Sequence, residues 1–223
     1  MELVFDSFDL YLRAFWLTIG LFLVSGVASL ILGTFLAAMR VGPIWVLAKA
    51  AATYITVVRN TPLLMIFIFA AIAMPKLGIT FRSVEDLGVS SFFFRACLAL
   101  SLYTCTFVAE AIRSGINAVP LGQAEAARAI GLGFGGTMTE VVLPQAFRAT
   151  VPPLASVFIA LLKNTSVAAV FGLLEATARM KYFTNQTARD ESVFLLFAVG
   201  YIVLVEIVSL GANRLERRWR VAR

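Results

Sequence analysis

The sequence predicts an all-α, polytopic membrane protein with five transmembrane helices, and three observations point there. Of the 223 residues, 60% are hydrophobic and 14% charged, whereas a soluble domain carries about 45–50% apolar and about 25% charged residues. The mean hydropathy is +0.89, more apolar surface than a soluble fold of this length can hide. Five apolar stretches are each long enough to cross a hydrocarbon core, which takes about 20 residues. The chain suffices for a single transmembrane domain over 1–223 and little else.

The five stretches cover 12–38, 52–74, 92–112, 152–173 and 193–212. The first ends at Met39-Arg40-Val41-Gly42-Pro43 and the second at Pro75. The first is read as a mature helix and not a secretory leader. It exceeds the usual apolar core of a leader, it follows the acids Glu2, Asp6 and Asp9, and no convincing small-residue cleavage site closes it. The aromatic run Phe92-Phe93-Phe94 suits an interfacial belt.

Five spans place the termini on opposite sides, and Lys/Arg placement sets the orientation. With the C-terminus inside, the inner segments hold Arg40, Lys49, Arg113, Arg128, Arg148 and the tail cations Arg214, Arg217, Arg218, Arg220 and Arg223, ten against seven outside. The tail cluster decides an N-out, C-in topology, and it explains the net charge of +6 by anionic lipid instead of nucleic acid. Histidine is absent, which removes the commonest metal ligand and general base. Cys97 and Cys105 lie eight apart in an apolar stretch, about 12 Å of helical rise, too far for a disulfide. No metal site and no catalytic constellation is expected.

With that topology the stretch 113–150 is a cytoplasmic loop, too polar to span yet patterned. Pro120 can open a helix. Helix formers follow over 121–130, the glycines Gly131, Gly133, Gly135 and Gly136 break it, and a second short helix over 137–142 is closed by Pro144. Such a pair either docks a partner or lies on lipid headgroups.

Here the residues resemble a known family. Gly122–Phe134 (G-Q-A-E-A-A-R-A-I-G-L-G-F), followed by V-V-L-P-Q-A-F-R at Val141–Arg148, resembles the EAA loop of bacterial ABC importer permeases. V-R-N-T-P-L-L at Val58–Leu64, V-A-E-A-I-R-S-G-I at Val108–Ile116 and L-L-K-N-T-S at Leu161–Ser166 resemble further signatures of the polar amino-acid branch. Taken together the motifs are most similar to those of actinobacterial glutamate uptake permeases.

The resemblance implies a type I ABC importer permease fold in the bacterial cell membrane. It also implies a set of partners: a second permease (a paralogue in preference to an identical copy), two ATP-binding subunits and an extracytoplasmic amino-acid-binding protein. It assigns ATPase coupling to Glu125, Ala126, Ala127, Gly131, Leu143 and Pro144. The chain has no G-x-x-x-x-G-K-[ST], and Gly131–Gly136 lacks the lysine. ATP and Mg are therefore expected on the partner ATPases, with no cofactor bound by this chain.

Ionisable residues within spans default to functional hypotheses. Arg59, Glu110, Lys163 and Glu206 are the four, and two of each sign either neutralise one another or mark a path. Lys163 with Asn164, Thr165 and Ser166 offers a cation, an amide and hydroxyls to an amino acid. Arg59-Asn60-Thr61-Pro62 interrupts the second stretch. There the span either restarts with Thr61 as N-cap or kinks, and such breaks mark transport paths. Equally, Arg59 can snorkel to headgroups from a helix start near the surface. Asn60, Thr61 and Asn164 are the pore-facing candidates. The alternative from another class is a subunit of an ATP-independent secondary transporter or channel, which has no reason to present an EAA-type loop.

Overall fold

The computed structural model describes residues 8–81, 90–186 and 190–219. Eight helical elements follow one another: α1 (Phe8–Val41), α2 (Trp45–Arg59), α3 (Leu63–Lys76), α4 (Ser91–Asn117), α5 (Leu121–Ala129), α6 (Phe134–Phe171), α7 (Ala176–Gln186) and α8 (Asp190–Trp219). Four of them, α1, α4, α6 and α8, are long and apolar enough to cross a membrane, and α2 with α3 forms a fifth, broken crossing bent by 100°.

The central helix is α4. It buries 61% of its most apolar window, against 28% for α1 and 11% for α8, so the outer helices keep their apolar faces for lipid. Contacts run from α1 to α4, from α4 to α6 and from α6 to α8. Lipid tails are as apolar as leucine, so helices meet in a membrane through close packing of small residues. The buried stripe of α1 obeys this: Ala14, Thr18, Leu21, Ser25, Ser29, Gly33 and Ala37 recur every three or four residues. At Gly33 the backbones approach so closely that an added Cβ would stand 2.6 Å from Val108 Cβ and 2.8 Å from the Cys105 carbonyl oxygen. The helix also carries Asp9 in its first turn and Arg40 in its last, the order its dipole favours.

The broken span has a local cause. Pro62 lacks an amide hydrogen and disfavours helix at the residue before it. Helix α2 therefore ends at Arg59, with the Asn60 amide donating to the Thr56 carbonyl. The chain extends through Pro62 (φ −56°, ψ 135°) and α3 starts at Leu63. The expected Thr61 cap does not form. The Thr61 hydroxyl donates back to the Val57 carbonyl at 2.8 Å, and Pro62 stands at the cap position. Within α3 a π turn over Phe69–Ala73 disturbs the bond ladder. Arg95 of α4 donates to the Ala71 carbonyl there at 3.1 Å and to the Ser91 hydroxyl at 2.7 Å.

The sequence places the start of the fourth span at Pro152, but α6 begins eighteen residues earlier, at Phe134. Residues 137–142 are not a separate helix closed by Pro144. They form a π turn that runs directly into the α-helix Leu143–Asn164, with Pro144 in its first turn and Pro152 and Pro153 inside it. Proline is tolerated in a membrane helix where local π adjustments and neighbours satisfy the freed groups.

The packing at Gly33 generates a test. Gly33→Ala is expected to destabilise the detergent-solubilised chain by about 1–3 kcal/mol. Gly211→Ala, where a Cβ meets nothing within 4 Å, is expected to leave the melting temperature unchanged or raise it. Thermal unfolding of the two variants side by side checks this.

Candidate functional site

Two constellations carry the functional candidates. The first is α5 with its turn. Pro120 stands at the N-cap, and the Gln123 amide donates to its carbonyl at 3.0 Å. The helix is closed by a Schellman motif: the Leu132 amide donates to the Ala127 carbonyl at 3.1 Å and the Gly131 amide to the Arg128 carbonyl at 3.0 Å. This motif needs the left-handed backbone that Gly131 adopts at φ +91°. Ala127 is buried and fixes α5 against the bundle, whereas Glu125 and Ala126 are exposed. Leu121 and Ile130 are each 81% exposed, and Phe134 is 68% exposed. Leu143 and Pro144 are exposed on the first turns of α6. The segment read as a loop over 113–150 is thus helix at both ends, with α4 running in to Asn117 and α6 running out from Phe134. A short capped helix sits on the foot of a long continuous one.

The second constellation is a cavity of about 310 Å³ between α4 and α6, lined by Tyr103, Thr104 and Phe107 from α4 and by Ser156, Val157, Ala160, Leu161 and Asn164 from α6. Its volume lies at the lower end of ligand pockets, which run about 300–1,000 Å³. Arg59, at the end of α2, lies over the Phe107 ring with its guanidinium carbon 5.0 Å from the centroid. One turn along α4, Glu110 accepts two hydrogen bonds from Arg113, at 2.8 and 3.1 Å, and lies 4.0 Å from Arg40.

The pattern of the family described as "Binding-protein-dependent transport system inner membrane component" matches residues 29–221. The chain belongs to this family. It is 44% identical to the glutamate transport system permease protein GluC of Corynebacterium glutamicum, with 94% of each chain covered. It is 32% identical to the probable glutamine ABC transporter permease protein GlnM of Bacillus subtilis, over 98% of this chain and 97% of that one. Its fold superposes on a crystal structure of an amino acid ABC transporter with histidines, at a TM-score of 0.87 and 28% identity, covering 96% of both chains. The fold is that of a type I ABC importer permease, a membrane component of an importer and not itself an enzyme.

Within this family fold, the structure brings together some of the expected site residues and separates others. Asn164 lines the cavity and Arg59 borders it through Phe107. Asn60, Thr61 and Lys163 do not line it, and Lys163 is exposed. The Thr165 hydroxyl turns back to the Leu162 carbonyl at 2.6 Å, and the Ser166 hydroxyl to the Lys163 carbonyl at 2.7 Å. Among the described residues no direct salt bridge joins the four ionisable residues of the spans, although Glu110 lies within electrostatic reach of Arg59. Glu110 pairs with Arg113 and Arg40, Arg59 lies over an aromatic ring, and Lys163 and Glu206 are exposed. A helix presents residues three and four apart on one face, so Glu110 takes Arg113 on its own helix as well as Arg40 of α1.

Sequence reasoning missed Glu175, in the connection between α6 and α7. It is completely buried. Its carboxylate caps α7 by accepting from the Thr177 amide at 3.0 Å and the Ala178 amide at 3.1 Å. It also accepts from the Tyr201 hydroxyl of α8 at 2.9 Å and lies 3.3 Å from the Thr18 hydroxyl of α1. Burial raises its pKa above the ordinary carboxylate range, and these hydrogen bonds oppose the rise. The available signal was an acid placed just before a helical run, the usual look of a cap.

The Gly131 turn generates a prediction. A side chain in the left-handed region costs about 1–2 kcal/mol. Gly131→Val is therefore expected to open the Schellman motif, with amide hydrogen exchange at Gly131 and Leu132 about tenfold or more faster. Gly131→Asn, which tolerates that region, is expected to change exchange less.

Proposed function

We propose that the chain is the permease subunit of an ATP-driven importer for a polar amino acid, that the amino acid is glutamate, and that transport proceeds by alternating access. The observation that carries the reading is the rigid connection between α5 and the cavity. α5 ends in a hydrogen-bonded glycine cap, and α6 runs unbroken from there to Asn164 in the cavity wall. A stiff element of this kind transmits a rigid-body displacement from one end to the other.

The face of α5 suits a groove in a partner. Leu121, Ile130 and Phe134 supply apolar contact, and Glu125 supplies one exposed charge for a cationic residue opposite. In this reading Glu125, Ala126, Ala127, Gly131, Leu143 and Pro144 form the surface that meets an ATPase, which holds the ATP and Mg. Two such ATPases, a second permease and an extracytoplasmic binding protein complete the assembly. The second permease is a paralogue, so the pair is a heterodimer. The α5 end faces the cytoplasm, with the N-terminus outside and the C-terminus inside.

Glutamate is supported by the naming of the Corynebacterium relative and by charge. The residues lining the cavity include no carboxylate, and Arg59 lies over the ring of the lining residue Phe107. An anionic amino acid meets hydroxyls and an amide in that lining. Asn60, Thr61, Glu110, Lys163, Thr165 and Ser166 belong to the elements that frame this path.

The test is binding-protein-stimulated ATP hydrolysis by the reconstituted complex, wild type against Glu125→Lys. Like charges placed across an interface cost several kcal/mol. Stimulated hydrolysis is expected to fall about tenfold or more while the membrane subunits stay folded. Co-purification without an ATPase, together with unchanged transport by Glu125→Lys, would favour a secondary transporter or channel.

A further inference from the structure

The buried carboxylate of Glu175 stands at the centre of a polar junction that joins α1, α7 and α8 at the end of α6 opposite to α5. From α7 come the amides of Thr177 and Ala178. From α8 comes the Tyr201 hydroxyl, which also lies 3.2 Å from the Thr177 hydroxyl. From α1 comes Thr18, whose hydroxyl in turn accepts from the Ala176 amide at 3.2 Å. Thr165, Glu175 and Thr18 are fully buried.

The junction adjoins the transport cavity. Thr165 follows Asn164, which lines the cavity, and opens the tight helical turn Thr165–Phe171 that leads through Gly172 to Glu175. The position of the last cavity-lining residue of α6 is therefore set from both ends. α5 acts at one end, and the Glu175–Tyr201 junction acts at the other. The Tyr201 hydroxyl and the Thr177 amide donate to one oxygen of Glu175 and the Ala178 amide to the other, while the Thr18 hydroxyl lies 3.3 Å from the carboxylate and 3.1 Å from the Ala14 carbonyl. Only a carboxylate offers acceptors on both of its oxygens at once. Glutamine would turn an amide N–H toward at least one donor and leave it buried and unpaired, which is costly in a low-dielectric interior.

We propose that Glu175 is a positioning residue for transport: through Tyr201 and Thr18 it holds the end of α6 so that movement received at α5 is converted into movement of the Asn164 wall of the cavity. The role rests on the importer reading above. Glu175 touches neither α5 nor the cavity itself, so its loss uncouples transport without removing ATP hydrolysis.

The experiment uses the full complex in proteoliposomes and measures glutamate uptake and ATP hydrolysis in parallel, for wild type, Glu175→Gln and Tyr201→Phe. For Glu175→Gln the ratio of amino acid taken up to ATP hydrolysed is expected to fall about fivefold or more. The concentration of loaded binding protein giving half-maximal hydrolysis is expected to stay at its wild-type value. Tyr201→Phe, which removes one hydroxyl, is expected to lower the ratio less. A residue that merely holds the fold would lower assembled complex, uptake and hydrolysis together and leave the ratio intact. An unchanged ratio in both variants overturns the proposal, and if Glu175→Gln does not assemble, Tyr201→Phe decides alone. A wild-type complex without ATP-dependent uptake overturns the importer reading and this role with it, an outcome distinct from a normal wild type with normal variants.

Discussion

In hydrocarbon no water stands ready to bond a stray backbone amide or carbonyl, and each one left unpaired costs several kcal/mol. At the irregular points of this chain, within the spans and outside them, freed backbone groups find partners. Where Pro62 ends the bond ladder, the Asn60 and Thr61 amides fold back onto α2. Where a π turn disturbs α3, Arg95 reaches across from α4 to the Ala71 carbonyl. Where α5 stops, Gly131 turns through a left-handed conformation so that two amides find carbonyls. Where α7 starts, Glu175 takes its free amides. Regular helix, which satisfies itself, fills most of the other described residues.

Several of the same irregular points border the cavity or the helix that leads to it. The break at Asn60–Pro62 brings Arg59 beside Phe107, on the rim of the cavity. The π turn at Thr137–Val142 keeps the foot of α6 helical through Pro144, so α5 rests on a continuous rod. Asn164 stands on that rod, and the Glu175 junction fastens its other end to α1 and α8. In the proposed mechanism a push at α5 would reach the cavity wall through this helix.

Much of this was legible in the sequence. Apolar length alone placed the five crossings, and the EAA-type motif located α5 and the turn at Gly131. Hydropathy could not show that the second crossing bends by 100°, because a broken and a straight span have the same composition. Nor could it show that residues 137–142 extend the next span, since Pro144 reads as a stop unless a π turn before it is foreseen. Charge count carries no geometry, so it could not show that Glu110 pairs with Arg113 on its own helix and with Arg40 of α1. Composition could not show that Lys163 is exposed while its neighbour Asn164 lines the cavity. Glu175 was overlooked because a lone acid between two spans resembles a solvated loop residue, and only the fold reveals the two amides and the Tyr201 hydroxyl that donate to it.

The most direct measurement is uptake of labelled glutamate into proteoliposomes holding this chain with its partner permease and ATPase. The external binding protein is supplied, and the energy source is then varied. Uptake is predicted to require ATP on the ATPase side together with the loaded binding protein, and to be absent when only a proton or sodium gradient is imposed. Gradient-driven uptake by this chain without ATP, ATPase or binding protein would contradict the importer assignment.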